Sequence, residues 1–195
     1  MNFKDFKPML LNNKEYNLEE LDYTNMYISS KLDGVRVAMT NKGLYNRSLK
    51  RIPNTQLQEK FEKACSYIPE DIILEGEVYN NDIPCREIAG ICNSKSKDIP
   101  KDLNIFLFDM TSTGDHHIAS MPREVRKKDL EYAHREYSLK TQGIHLIHEI
   151  KVDNAEEAQM MYEKYLKFSC EGAVMFDHSK PYKYGRVTIK QNYTD

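Results

Sequence analysis

Lys31-Leu32-Asp33-Gly34-Val35-Arg36 is the stretch on which the interpretation of this chain turns. It joins two segments of strand character, residues 26–30 and 35–40, so its lysine stands at a strand end with a tight turn behind it. An amine in that position is a candidate nucleophile. Free lysine is protonated at neutral pH, with a reference pKa of about 10.4, and attack requires desolvation or nearby positive charge to bring that value toward roughly 7 to 8. Arg36 and a divalent metal are candidate sources of that charge. Asp33 is a candidate to orient the ammonium and accept its proton, and Gly34 permits the turn and the close approach of a ligand. A lone K-x-D-G is more often a surface hairpin with an ordinary salt bridge. With the arginine included, the pattern is expected by chance in only about one in a thousand chains of this length.

Outward from this turn the chain alternates strands and helices irregularly. Further strand-like stretches cover residues 43–47, 71–79, 104–110, 145–150 and 171–176, and Asn41-Lys42-Gly43 has the composition of a hairpin turn. Leu57, Phe61, Ala64 and Cys65 recur at i, i+4, i+7 and i+8, the stripe of a helix started by Asn54 or Thr55. Asn154 with Glu157 resembles a capping box, followed by Ala158, Met161, Tyr162, Tyr165 and Leu166 on one face, which reads as core. Residues 87–92 and 122–137 are the remaining helices, the second highly charged and therefore expected to be mostly solvated. Hairpins broken by helices, without β-α-β alternation, predict an α+β fold of antiparallel β-sheets packed with helices. The chain contains neither G-x-G-x-x-G nor G-x-x-x-x-G-K-[ST], so a bound nucleotide would not be held by a P-loop.

Composition bounds the function. The 195 residues carry 28 Lys plus Arg against 30 Asp plus Glu, a formal charge of −2, which argues against a dedicated nucleic-acid coat while leaving room for a local basic groove. No repeat, linker or internal boundary divides residues 1–195, and no apolar run approaches the ~20 residues of a membrane span. The N-terminus lacks the pattern of a secretory signal, so the cytoplasm is the expected compartment, the host cytoplasm if the gene is phage-encoded. Four cysteines without C-x-x-C spacing are expected to be reduced and not to hold zinc.

Several stretches together resemble the nucleotidyltransferase (adenylation) domain of phage-type ATP-dependent DNA ligases, within the covalent nucleotidyltransferase superfamily that includes RNA ligases and capping enzymes. Lys31 to Arg36 matches motif I, K-x-D-G-x-R, and Phe6-Lys7-Pro8-Met9-Leu10 is similar to the K-P-M-L that precedes it in the family. Asn46-Arg47 and Lys50-Arg51-Ile52-Pro53-Asn54 are similar to S-R-x-G-K-x-I-P-N. Leu74-Glu75-Gly76-Glu77-Val78 resembles motif III, D-G-E, with Glu75 in place of the usual aspartate. Ile105-Phe106-Leu107-Phe108-Asp109 resembles motif IIIa, and Glu171-Gly172-Ala173-Val174-Met175 resembles motif IV.

The resemblance implies an ATP-grasp-like nucleotidyltransferase domain over residues 1–195. Its catalytic residues would be Lys31, Asp33 and Arg36, and ATP would be bound by Ser29, Lys31, Arg36, Arg47, Glu77, Phe108 and Lys190. Within that set Glu77 would hydrogen-bond the ribose and Phe108 would stack on adenine. Mg²⁺ would be held by Glu171 and Glu77, oxygen ligands that suit a hard cation. The implied reaction forms a covalent AMP adduct on Lys31, passes AMP to the 5′-phosphate of nicked double-stranded DNA, and seals with the 3′-hydroxyl. Tyr182 to Lys190 looks like the stretch ahead of motif V, whose lysine pair would come next. The expectation is therefore that motif V and the C-terminal OB-fold domain are absent, or supplied by a partner chain. Three alternatives stand beside this one: an RNA ligase, a capping enzyme that would use GTP, and a non-catalytic or split nucleotide-binding relic.

The remaining candidates have plainer explanations. His145-x-x-His148 has metal-compatible spacing on a helix, but its segment alternates like a strand. His116-His117 falls in a polar loop. Lys95, Lys97 and Lys101, with Arg123, Arg126, Lys127 and Lys128, are candidates for a DNA-facing edge, and Arg126 also resembles an arginine that follows motif IIIa.

Overall fold

A computed structural model of the chain describes residues 3, 6–10, 17–113 and 117–185. Hydrophobic alternation in β2 (Val35–Thr40), β3 (Gly43–Asn46), β4 (Ile72–Tyr79) and β5 (Asn104–Ser112) builds a sheet completed by β6 (Ile144–Leu146), in the order β3-β2-β4-β5-β6. Val37, Met39, Leu44, Leu74, Val78, Ile105 and Leu107 face one way and are covered by Leu57, Phe61, Ala64 and Cys65 of α1 (Thr55–Ser66) and Ile88, Ile91 and Cys92 of α2 (Cys85–Cys92). A second sheet, β7-β1-β8, is formed by β1 (Met26–Lys31), β7 (Ile150–Lys151) and β8 (Gly172–Asp177). Its Met26, Ile28, Ala173 and Met175 bury against Ala158 and Met161 of α4 (Ala155–Lys167). Each sheet thus spends one face on helices, and the odd-even rule turns Ser29 and Lys31 of β1, and Arg36, Glu75 and Glu77 of β2 and β4, to the other face.

Local chemistry sets the helix starts. Asn54 caps α1, its side-chain oxygen accepting from Leu57 N at 2.9 Å, while its amide donates to the carbonyls of Ile91 at 3.1 Å and Lys97 at 2.8 Å. Asn154 accepts from Glu157 N at 2.9 Å, and the Glu157 carboxylate accepts from Asp153 N at 2.9 Å, so the reciprocal bond reaches one residue further back than in a standard capping box. The stripe of α4 differs at its end, where Leu166 is exposed.

Two expectations are corrected. The strand expected over 145–150 is two strands in different sheets: β6 runs parallel to β5, β7 pairs with β1, and Ile147-His148-Glu149 crosses between them. The charged helix α3 (Arg123–Glu136) buries its cations: Arg123, Arg126 and Lys127 are 2%, 1% and 6% exposed. They occupy the inward stripe with Leu130 and Ala133 and are neutralised by buried carboxylates, so a DNA-facing edge does not run through them. Lys128 is solvated, paired with Glu124 at 2.6 Å. Among the described residues no helix is long and apolar enough to cross a membrane.

Candidate active site

Between the helix-free faces of the two sheets lies a cleft of about 350 Å³. Ser29, Lys31, Arg36, Arg47, Glu77, Phe108 and Glu171 all line it, drawn from β1, β2, the turn after β3, β4, β5 and the residue before β8. Lys190 lies outside the described residues.

Lys31 closes β1, opposite Gly172 of β8, and this register brings Glu171 to its amine: Lys31 Nζ donates to Glu171 Oε1 at 2.6 Å. The two side chains are 25% and 45% exposed, so the pair is worth under about 1 kcal/mol and does not lock the amine. Asp33 is exposed and does not line the cleft; next to it the Cys85 thiol donates to Gly34 O at 3.1 Å. The partner of the candidate nucleophile is therefore the motif IV glutamate.

Arg36 is held from two sides of the cleft. Nη2 donates to Glu75 Oε1 at 2.7 Å, Nη1 donates to Met9 O at 2.8 Å, and the guanidinium lies 5.0 Å from the centre of the Phe108 ring. Burial works against its charge, but the Glu75 carboxylate more than compensates and holds its pKa above the ordinary value. Tyr182 donates to the other oxygen of Glu75 and accepts from Met9 N at 2.6 Å. The K-P-M-L stretch and Tyr182 thus meet on the motif I arginine, and buried Arg36 Nε has no partner among the described residues.

Glu77 lies across from Arg36 in the β2–β4 register. Burial pushes its carboxyl up to about 8, with Arg36 pulling down and the charges of Glu171 and Asp33 pushing further up. Acidic groups crowd around one amine here. That is an electrostatic environment a divalent cation relieves, and the available donors are the oxygens such a cation prefers. Among the described residues no group of three or more His, Cys, Asp or Glu forms a complete metal cage, and this holds for His145 and His148 too; His145 stands beside Phe106, ring centres 5.0 Å apart.

Phe108 and Asp109 owe their position to a bulge. Glu75 pairs with Asp109 but Gly76 with Leu107, which leaves Phe108 without a partner on β4 and turns two successive residues into the cleft, between core residues Leu107 and Met110. Below them lies a buried ionic layer that sequence reasoning missed. Arg123 donates to Asp109 Oδ2 at 2.6 Å, Phe108 O at 2.9 Å and Glu149 Oε1 at 2.7 Å; Arg126 holds both oxygens of Asp109 at 2.9 and 3.0 Å; His178 contacts Glu149 at 2.6 Å. The available signal was arginine and lysine at the inward positions of a helical stripe. Glu149, within an exposed-looking H-E-I, carried none.

Comparison with known proteins agrees with the geometry. The family "ATP dependent DNA ligase domain" matches residues 8–191. The DNA ligase of African swine fever virus (strain Badajoz 1971 Vero-adapted) is 25% identical over 175 residues, covering 83% of this chain and 39% of the viral protein, so the chain spans well under half the length of that relative. The fold superposes on the Chlorella virus DNA ligase-adenylate with TM-score 0.77 at 19% identity, covering 95% of this chain and 64% of that one. The ATP-dependent DNA ligase of bacteriophage T7, in complex with ATP, gives 0.71 at 18% identity, covering 94% and 67%. With the family matched across nearly its whole length, the chain belongs to the ATP-dependent DNA ligase domain family.

Proposed function

We propose that residues 1–195 form one nucleotidyltransferase unit that charges itself with AMP on Lys31 and delivers that AMP to the 5′-phosphate of nicked double-stranded DNA. The observation that carries this is the convergence of Ser29, Lys31, Arg36, Arg47, Glu77, Phe108 and Glu171 on a single cleft between two sheets.

In the first step Lys31 Nζ attacks the α-phosphorus of ATP. A nitrogen–phosphorus bond forms, the bond to the β-phosphate oxygen breaks, and pyrophosphate leaves with its electron pair. Glu171, at hydrogen-bond distance from Nζ, orients the amine and is placed to receive its proton. Arg36, held in place by Glu75 and Met9 O, sets its charge against the cleft where the phosphates would lie, and Arg47 adds charge to the same lining. Phe108 offers its ring to the base and Glu77 its carboxyl to the ribose. Glu77 and Glu171 would hold Mg²⁺, which would supply charge neutralisation at the phosphates. In the second step a 5′-phosphate oxygen displaces Lys31 from the α-phosphorus, and Nζ recovers a proton. The 3′-hydroxyl then attacks the activated 5′-phosphate and AMP departs, each hard displacement having been divided into easier ones.

Incubation with α-labelled ATP and Mg²⁺ should give a labelled adduct that Lys31→Ala abolishes. A label that survives Lys31→Ala, or ATP binding without any adduct, overturns the proposal. Offering the charged protein nicks whose 3′ strand is DNA or RNA tests the substrate: sealing confined to the RNA strand would mark an RNA ligase.

A further inference from the structure

Arg123, the first residue of α3, touches both walls of the cleft. On the five-stranded side it binds Asp109 Oδ2 at 2.6 Å and the carbonyl of Phe108 at 2.9 Å. On the three-stranded side its guanidinium lies 3.7 Å from the centre of the Phe176 ring of β8. Its remaining donors go to Glu149, on the segment that crosses from one sheet to the other, at 2.7 and 3.2 Å. Phe108 and Phe176 face the same cleft, and Arg123 lines it between them.

The bulge is what makes this arrangement matter. Phe108 has no register partner on β4 or on β6, so the regular pairing that fixes the height of its neighbours in the sheet passes it by. Arg123 grips the carbonyl of this unpaired residue from outside the sheet. A planar guanidinium does this with fixed angles, while the same plane stacks on Phe176; an ammonium has the charge but neither the fork nor the flat face. We propose that Arg123 is a positioning residue that sets the spacing between the two walls and, through the Phe108 carbonyl, the stacking position of the Phe108 ring. This rests on the assignment of the cleft to ATP, and it makes base affinity depend on the side chain that holds the Phe108 carbonyl.

The test is a cycle of Phe108→Leu, Arg123→Lys and the double variant in the full chain, following adduct formation against ATP concentration. Each single change should raise the half-saturating ATP concentration by about tenfold and leave the limiting rate within about twofold, the signature of lost ground-state binding. Because both act through one ring, the double variant should resemble the single ones instead of multiplying to about a hundredfold. If Phe108→Leu leaves half-saturation unchanged, the assignment of the cleft to the base falls. If Phe108→Leu raises it while Arg123→Lys does not, or the two effects multiply, that assignment stands and the role of Arg123 is overturned. Should Arg123→Lys show no cooperative melting, Glu149→Gln, which loosens the arginine from its other side, carries the same expectation and the same refutation.

Discussion

Gly34 shows how little room surrounds the candidate nucleophile. A Cβ there would sit 2.4 Å from Val78 O and 2.7 Å from Glu77 Cγ, and no positive φ is involved. The sequence assigns this glycine to a turn and to the approach of a ligand; the structure adds that the motif I turn lies against the backbone of β4 itself. Gly34→Ala must push β2 away from β4 or tilt the turn that carries Lys31, at a cost of about 1–3 kcal/mol in stability. The larger effect is expected on chemistry, a fall of about 10- to 100-fold in the adduct-forming rate, because misplacement near 1 Å at a reacting amine is enough for that. Melting and adduct kinetics on the one variant measure both, and a stable, fully active Gly34→Ala would show that the close approach is immaterial.

Two asparagine caps compare the cost of one bond in two surroundings. Asn154 caps α4 in the open, and Asn154→Ala should cost about 1 kcal/mol. Asn54 is fully buried and also donates to Ile91 O and Lys97 O, tying α1 to the end of α2 and the loop beyond. Asn54→Ala should cost roughly 2–4 kcal/mol, since the Lys97 carbonyl loses its side-chain donor and the Ile91 carbonyl loses one of its donors together with the cap. Urea unfolding of the two variants checks the difference, and equal costs would contradict it. The Asn154 cap was legible in the sequence, as were the stripe of α1 and β1 through β5, and the α1 cap was narrowed to Asn54 or Thr55, because each depends on spacing within a few residues. The segment 145–150 was not legible. Strand alternation there is real, but only tertiary pairing decides that Ile144–Leu146 joins β5 and Ile150–Lys151 joins β1. The polarity of α3 misled for a related reason: charge excludes a helix face from the interior only when no opposite charge is already buried there, and Asp109 and Glu149 come from β5 and from the β6–β7 crossing.

At the scale of the molecule, the ionic layer makes stability depend on acid. Burial alone would push Glu149 up, yet Arg123, His178 and Lys127 hold its carboxyl far below the usual range, and Asp109 is likewise depressed by Arg123 and Arg126. In the unfolded chain these groups titrate at about 4.3 and 3.9, so the stability they contribute is complete above those values and drains as pH falls through and below them. Melting temperature should drop steeply below about pH 4, and Glu149→Gln should flatten that drop while lowering stability at neutral pH. An unchanged acid limb in the variant would assign the effect to other carboxylates. Most of the cleft was legible from motifs, since Lys31, Arg36, Glu77, Phe108 and Glu171 each lie at a strand or strand end and two sheets bring them together. What holds them there, Arg123, Glu149 and Tyr182, comes from distant parts of the chain, and no local pattern pairs the three with the cleft residues they hold. One backbone contact has a mechanical consequence: Leu10 N donates to Gly185 O at 2.8 Å, and Met9 and Leu10 line the cleft. Gly185 is thereby coupled to the segment that holds Arg36, so a load applied to the chain at Gly185 passes through Leu10 to the Met9 carbonyl.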